Sequence, residues 1–215
     1  MDQALEPRGR ALTHHPIYLF RHGETVWNAE KPAQGHLDSP LTATGREQAR
    51  IMGEGLAREL KQTGYAPAEI VVRSSPLGRV RETLVIAAQA AGLAQGTASF
   101  DHRLREMSWG DWDGLNGVEI EARWPGQMAA RRQEKWHFLP PNGENYIMAA
   151  ERAQTALDDI VGLAADRPVA VFAHGGIGRV LRGLFVSAPQ AEILKMDQPQ
   201  DAFFRLHGGA IERIK

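Results

Sequence analysis

The stretch PVAVFAHGGIGRVL, residues 168–181, constrains this chain more than any other. A continuous apolar run of strand length passes without a turn into His174-Gly175-Gly176. A helical pattern then begins at once. IYLF at 17–20 does the same, running into Arg21-His22-Gly23. Strands that are apolar on every residue are covered on both faces, which requires helices above and below a parallel sheet.

The rest of the chain fits that demand. Residues 40–60 carry Ala49, Met52, Leu56 and Leu60 at helical spacing, with Thr44–Glu47 or Thr42 as the cap. EIVV at 69–72 is a strand. Pro76 suits the first position of the helix that runs toward Gly92. Residues 99–106 include a strand bearing Phe100 and Leu104. GENYIMAAERAQTALDDIVGLAAD forms a long helix with its stripe at Ile147, Ala150, Ala153, Leu157, Ile160 and Leu163. DAFFRLHGGAIERIK reads as two strands around a Gly-Gly turn. The expected architecture is a three-layer α/β/α fold. Its central sheet is mostly parallel, with an antiparallel C-terminal strand pair. The whole chain, 1–215, reads as one domain. Residues 1–15 form a polar tail, and 107–145 make a cap-like excursion with short helices near 116–124 and 127–136.

Composition narrows the chemistry. The chain has 25 basic and 26 acidic residues, so there is no global positive field for nucleic acid. Cysteine is absent, which excludes disulfides, thiolate nucleophiles and cysteine metal sites. The N-terminus lacks an apolar signal region and no segment is long enough to span a membrane, so the expected location is cytoplasmic. His14-His15 and His207 lack metal-ligand spacing and read as surface residues. Oligomeric state is not legible.

Ligands in open α/β sheets bind beyond the carboxyl ends of strands. Those ends carry Arg21 and His22, then Arg73-Ser74-Ser75 with Arg79 just beyond, then His174 and Gly175. Two arginines, two imidazoles and helix N-termini on one edge form a site for a dianion, most simply a phosphoryl group. A neutral imidazole can attack phosphorus, while a second, if protonated, can stabilise the transferring oxygens. LREMSWGDWDGL supplies a proton donor. Glu106 lies nearest the strand end, and Asp111 and Asp113 are its rivals.

These segments resemble the histidine phosphatase superfamily, the phosphoglycerate-mutase-like proteins. RHGET at 21–25 with Trp27-Asn28, QGHLDSPLT at 34–42, Gly45 with Gln48, SSPLGRVRET at 74–83, LREMSWGDWDG, PNGEN and AHGGIGRVL occur in the family's order. Val80, Glu82 and Asn145 depart from its usual residues, and Glu82 would weaken the local positive potential. The resemblance implies that His22 is the phosphoryl acceptor, and that Arg21, Arg79 and His174 complete the pocket. It implies that Asn28 and the Gly175 N–H assist, that Glu106 is the general acid, and that no metal or other cofactor is required. The expected activity is hydrolysis of a small phosphorylated metabolite through a phosphohistidine.

Two alternatives stand beside it: a cofactor-dependent phosphoglycerate mutase, and a phospho-ligand binding protein without turnover. Mutases of this kind carry a longer helical insertion after the acid segment. Here His174 follows Glu106 by only 68 residues, which favours the phosphatase. Trp109, Trp112, Trp124 and Trp136 read mostly as packing of the excursion, with stacking on a substrate as the lesser reading, and the 131–135 charges read as a solvated helix face, with contact to a second anionic group as the lesser reading.

Overall fold

The computed structural model describes residues 13–30, 32–94 and 96–215. Twelve of the residues expected to form the polar tail, 1–12, lie outside the described residues. In chain order the elements are β1 (Ile17–Arg21), α1 (Val26–Glu30), α2 (Ala43–Thr63), β2 (Val71–Ser74), α3 (Gly78–Ala91) and β3 (Ser99–Phe100). There follow α4 (Gly117–Arg123), α5 (Gln127–Gln133), α6 (Tyr146–Leu163), β4 (Val169–Ala173), α7 (Gly175–Phe185), α8 (Gln190–Ile193), β5 (Phe203–His207) and β6 (Ala210–Ile214).

The sheet order is β3-β2-β4-β1-β5-β6. The first four strands are mutually parallel, and β5 and β6 are antiparallel additions. Strand alternation divides the core. Ile17, Leu19, Val169 and Val171 pack with α6 and α7 on one face. Tyr18, Phe20, Ala170 and Phe172 pack with α2 and α3 on the other. Phe20 and Phe172 stack with centroids 4.5 Å apart. The Gly208-Gly209 turn has positive φ at both residues, the geometry that matches the twist of a two-residue hairpin.

Several local expectations need correction. Thr42, not Thr44, caps α2, accepting from the Gly45 N–H at 3.0 Å. Pro76 lies ahead of α3, whose N-cap is Leu77 with no side-chain cap of its own. The Asp38 carboxylate supplies that cap from another loop, accepting from the Gly78 N–H at 2.6 Å and the Arg79 N–H at 3.3 Å. The strand expected at 99–106 stops at Phe100, because Asp101 accepts from the Arg103 N–H and starts a 3-10 turn over His102–Leu104. Ile147 is exposed. The buried face of α6 runs through Tyr146, Ala149, Ala150, Ala153, Ala156, Leu157 and Ile160, and its small residues let α7 approach closely.

The excursion has its own aromatic centre. Trp112 is fully buried among Trp109, Trp124 and Phe138, with centroids 5.4–6.3 Å away. Trp136 stacks on Tyr146 at 5.2 Å.

Below the site the chain leaves no room for side chains. A Cβ on Gly45 would lie 2.0 Å from the Glu24 carbonyl oxygen, and one on Gly23 would lie 2.2 Å from the Gly45 carbonyl. Both obstacles are backbone. Gly45→Ala is therefore expected to destabilise the protein by about 3 kcal/mol, read as a lowered urea midpoint.

Candidate active site

Register explains why the two histidines meet. Arg21 on β1 is paired with Ala173 on β4, so the next residues of the two parallel strands, His22 and His174, emerge side by side. Their ring centroids are 5.3 Å apart. β2 ends beside them, and Ser75 Oγ lies 2.8 Å from His174 Nε2. Arg79 arrives from the first turn of α3. His22, Arg79 and His174 are all buried, with at most 4% of their surface exposed.

His22 Nδ1 is 2.8 Å from the Gly23 carbonyl, which can only accept. That contact assigns the proton to Nδ1 and leaves a lone pair on Nε2. Arg79 Nε donates toward that Nε2 over a long 3.3 Å. Burial, then the Arg79 and Arg21 charges, hold His22 well below its ordinary value of 6.5. His22 is therefore a neutral imidazole with an available electron pair.

His174 is also held well below 6.5, by burial, then Arg79, His22 and Arg21. Its protonated form, anticipated for charge stabilisation, is thus disfavoured in the free protein. Ser75 Oγ accepts the Leu77 N–H at 3.4 Å, so its own proton is free for His174 Nε2. Neutral His174 then carries its proton on Nδ1, a buried atom without a partner. Two buried neutral histidines make stability depend on pH. Below 6.5 the unfolded chain takes up protons that the native state refuses, so stability falls as pH falls. A urea midpoint lower at pH 5.5 than at pH 7.5 is the expected result.

The arginines differ in freedom. Arg79 is anchored through Nη1 to the Leu37 carbonyl at 2.9 Å and Asp38 at 3.0 Å, and through Nη2 to the Gly35 carbonyl at 2.8 Å. Arg21 gives Nη1 to the Gln198 carbonyl, while its Nε is buried and unpartnered. Gln34 Nε2 is another orphaned buried donor beside the site. Buried donors left without acceptors are rare in native proteins, and their grouping marks a place suited to anionic oxygens. Asn28 Oδ1 accepts from the Thr25 N–H at 3.2 Å and from Gln200 Nε2 at 3.0 Å. Gly175 opens α7, where its N–H has no acceptor within the helix.

Glu106 sits at that same helix start. Its carboxylate accepts from the N–H groups of Gly176 at 2.9 Å, Ile177 at 3.0 Å and Met107 at 3.0 Å. The rival carboxylates are engaged elsewhere. Asp113 accepts from the Gly35 and His36 N–H groups, and Asp111 accepts from Asn142 Nδ2. Glu82 is paired with Arg46 at 2.8 Å, so its charge is spent outside the pocket.

Arg152 was not identified in the sequence, whereas Glu144 and His36 lie in the PNGEN and QGHLDSPLT segments singled out there. Arg152 on α6 donates to the carbonyls of Arg103, Arg105 and Glu106, and forms a two-pronged pair with Glu144 at 2.9 and 3.0 Å. Glu144 also accepts the Ser108 N–H. His36 Nε2 lies 2.9 Å from the Glu106 carbonyl. The backbone bearing Glu106 is thereby clamped from two sides. Arg152→Met leaves Glu144 partly buried and unpaired, which costs about 3 kcal/mol. It is expected to slow turnover of alkyl phosphates about tenfold while inorganic phosphate still binds within twofold. Steady-state kinetics and product inhibition check both.

Known proteins resemble this chain in sequence and in fold. The model of the histidine phosphatase superfamily (branch 1) matches residues 17–209. The chain is 33% identical over 181 residues to a glucosyl-3-phosphoglycerate phosphatase of Mycolicibacterium vanbaalenii, covering 80% of this chain and 75% of that one. It is 37% identical over 204 residues to the "Probable phosphoglycerate mutase GpmB" of Salmonella arizonae, covering 92% and 83%. A mycobacterial glucosyl-3-phosphoglycerate phosphatase solved in complex with VO3 superposes with a TM-score of 0.72 at 29% identity, covering 94% and 97%. A family model spanning most of the chain, together with relatives at this identity, places the protein in the histidine phosphatase superfamily, branch 1.

Proposed function

We propose that this protein hydrolyses small phosphorylated metabolites by passing the phosphoryl group through His22. The observation that carries the reading is a neutral His22, its Nε2 unprotonated, enclosed with Arg21, Arg79 and His174. The arginines, Asn28, the Gly175 N–H and His174 Nδ1–H bind the phosphoryl oxygens. The Nε2 electron pair forms a bond to phosphorus as the ester P–O bond breaks. Glu106 gives a proton to the departing oxygen. Its carboxylate then takes a proton from water. That water attacks phosphorus, the P–N bond breaks, and inorganic phosphate leaves with His22 neutral again. Burial and then the Arg79 and Arg21 charges hold His174 down, and the incoming dianion offsets those charges, which shifts His174 toward its protonated form.

Transfer to a second hydroxyl in place of water is the other reading, favoured by the relative named as a mutase. One experiment separates the two. The enzyme is incubated with labelled 3-phosphoglycerate or glycerol 3-phosphate, with and without 2,3-bisphosphoglycerate. Acid-labile, alkali-stable label on His22 together with steady release of inorganic phosphate is the expected result. Bisphosphate-dependent interconversion of phosphoglycerates with little release would establish the mutase. Failure to acquire label under any condition would overturn both.

A further inference from the structure

The loop at 197–201, between α8 and β5, touches the site at two places. The Gln198 carbonyl accepts from Arg21 Nη1, and Gln200 Nε2 donates to the His22 carbonyl at 3.3 Å and to Asn28 Oδ1 at 3.0 Å. The loop is itself pinned from two elements. Asp197 is paired with Arg182 of α7 at 3.3 Å and with Arg213 of β6 at 3.2 Å, and Asp201 is paired with Lys215 at 3.0 Å. Arg182 is buried and lies over the Phe204 ring, 3.8 Å from its centroid.

Three observations connect this loop to the chemistry of Asn28. First, both carboxamides are oriented by backbone groups with a single possible role. The Thr25 N–H can only donate, and it meets Asn28 Oδ1 at 3.2 Å. The His22 carbonyl can only accept, so the end of Gln200 that faces it is the NH2. Both assignments make the Gln200–Asn28 contact an N–H donated to an oxygen. Second, that oxygen then holds two donors, so the other end of Asn28 is its NH2, which makes a long 3.5 Å contact with Gln34 Oε1. Third, Gln34 Oε1 has a closer donor in the Thr25 hydroxyl at 2.8 Å, which leaves the Asn28 NH2 available. Asn28 lines the cavity that also holds Arg21, His22 and Glu106. A carboxamide fixed by one bond can turn over and present its oxygen, and an oxygen facing a phosphoryl dianion repels it. Gln200 supplies the second bond.

We propose that Gln200 is a positioning residue, which holds the Asn28 carboxamide with its NH2 toward the phosphoryl group. This rests on the reading that Asn28 binds the phosphoryl oxygens. The pinned loop is what makes the bond effective, because it fixes the Gln200 backbone while one NH2 spans two acceptors, the His22 carbonyl and Asn28 Oδ1. The requirement is for a donor and not for bulk. A side chain of the same length without an N–H leaves Asn28 with the Thr25 bond alone.

The test is a double-mutant cycle of Gln200→Met and Asn28→Ala. It is read on turnover of glycerol 3-phosphate and, by calorimetry, on affinity for inorganic phosphate. Gln200→Met keeps the length of the side chain and removes its N–H. It is expected to lower kcat/KM about tenfold, and Asn28→Ala to lower it about 100-fold, with phosphate affinity falling in the same order. In the Asn28→Ala background, Gln200→Met is expected to add less than about twofold, because no amide remains to be oriented. A Gln200 that merely supports the loop would cost about tenfold in both backgrounds, and that additivity overturns the proposal. An unchanged kcat/KM in Gln200→Met also overturns it. Gln200→Ala, which removes the donor with a smaller side chain, carries the same cycle if Gln200→Met melts abnormally. If the wild type releases no phosphate and His22 acquires no label, the phosphatase reading itself has failed. The cycle on phosphate affinity needs no turnover and still decides whether Gln200 acts through Asn28.

Discussion

His22→Ala is expected to release no measurable inorganic phosphate from any phosphomonoester, a loss on the order of 10⁴-fold or more. The reason is specific to the geometry. Nε2 is the lone pair on this ring that remains unprotonated, since Nδ1 faces the Gly23 carbonyl. The neighbouring imidazole cannot take over, because its Nε2 is held by Ser75. The substitution removes a ring from the rim of the sheet without touching the two core clusters. The melting temperature is therefore expected to change little, and inorganic phosphate is expected still to bind through Arg21 and Arg79. Radiolabel, melting and phosphate titration form one set. A folded, phosphate-binding variant that still turns over at more than a hundredth of the wild-type rate would remove His22 from the reaction path.

Much of this was legible in the sequence because of where it lies. β1 and β4 are central and covered on both faces, so they appear as unbroken apolar runs. The residues immediately after them stand on the rim of the sheet. What was not legible acts across distance. Arg152 reaches the Glu106 carbonyl from 46 residues away, and Gln200 reaches Asn28 from 172 residues away. Asp38 caps α3 from a separate loop, so Leu77 shows no capping side chain. The exposed Ile147 has a related cause. α6 begins at Tyr146, which is buried against Trp136, and the buried face widens to include Ala149 and Ala156 beside Ala150, Ala153, Leu157 and Ile160, leaving Ile147 outside it. Arg131 and Arg179 on their helices, and Lys135 just after α5, look like ordinary solvated charges. They meet only as the lining of one cavity.

Glu106→Gln is expected to separate substrates by leaving group. In kcat/KM, which reads phosphoenzyme formation alone, alkyl phosphates, whose departing oxygen needs a proton, should fall by 10²- to 10³-fold, and activated aryl phosphates by less than tenfold. The absolute rates carry a second effect. Glutamine keeps the shape of the side chain but places an amide NH2 where one carboxylate oxygen had accepted a backbone N–H. Gly176, Ile177 and Met107 all donate to the Glu106 carboxylate, and an amide in its place can satisfy only part of that set. The loss of stability is expected to be about 1–3 kcal/mol and weighs on every substrate alike. The ratio between substrate classes is therefore the informative quantity. Formation and hydrolysis of the phosphoenzyme can be read separately, because an aryl phosphate loads His22 without an acid. If Glu106 also activates water, labelled phosphohistidine should then accumulate in the variant, with a burst of phenol ahead of phosphate. Equal losses on both classes with no accumulation would move proton transfer to another group. Asp111 and Asp113 are poor replacements, because their oxygens already hold Asn142 and the Gly35–His36 backbone.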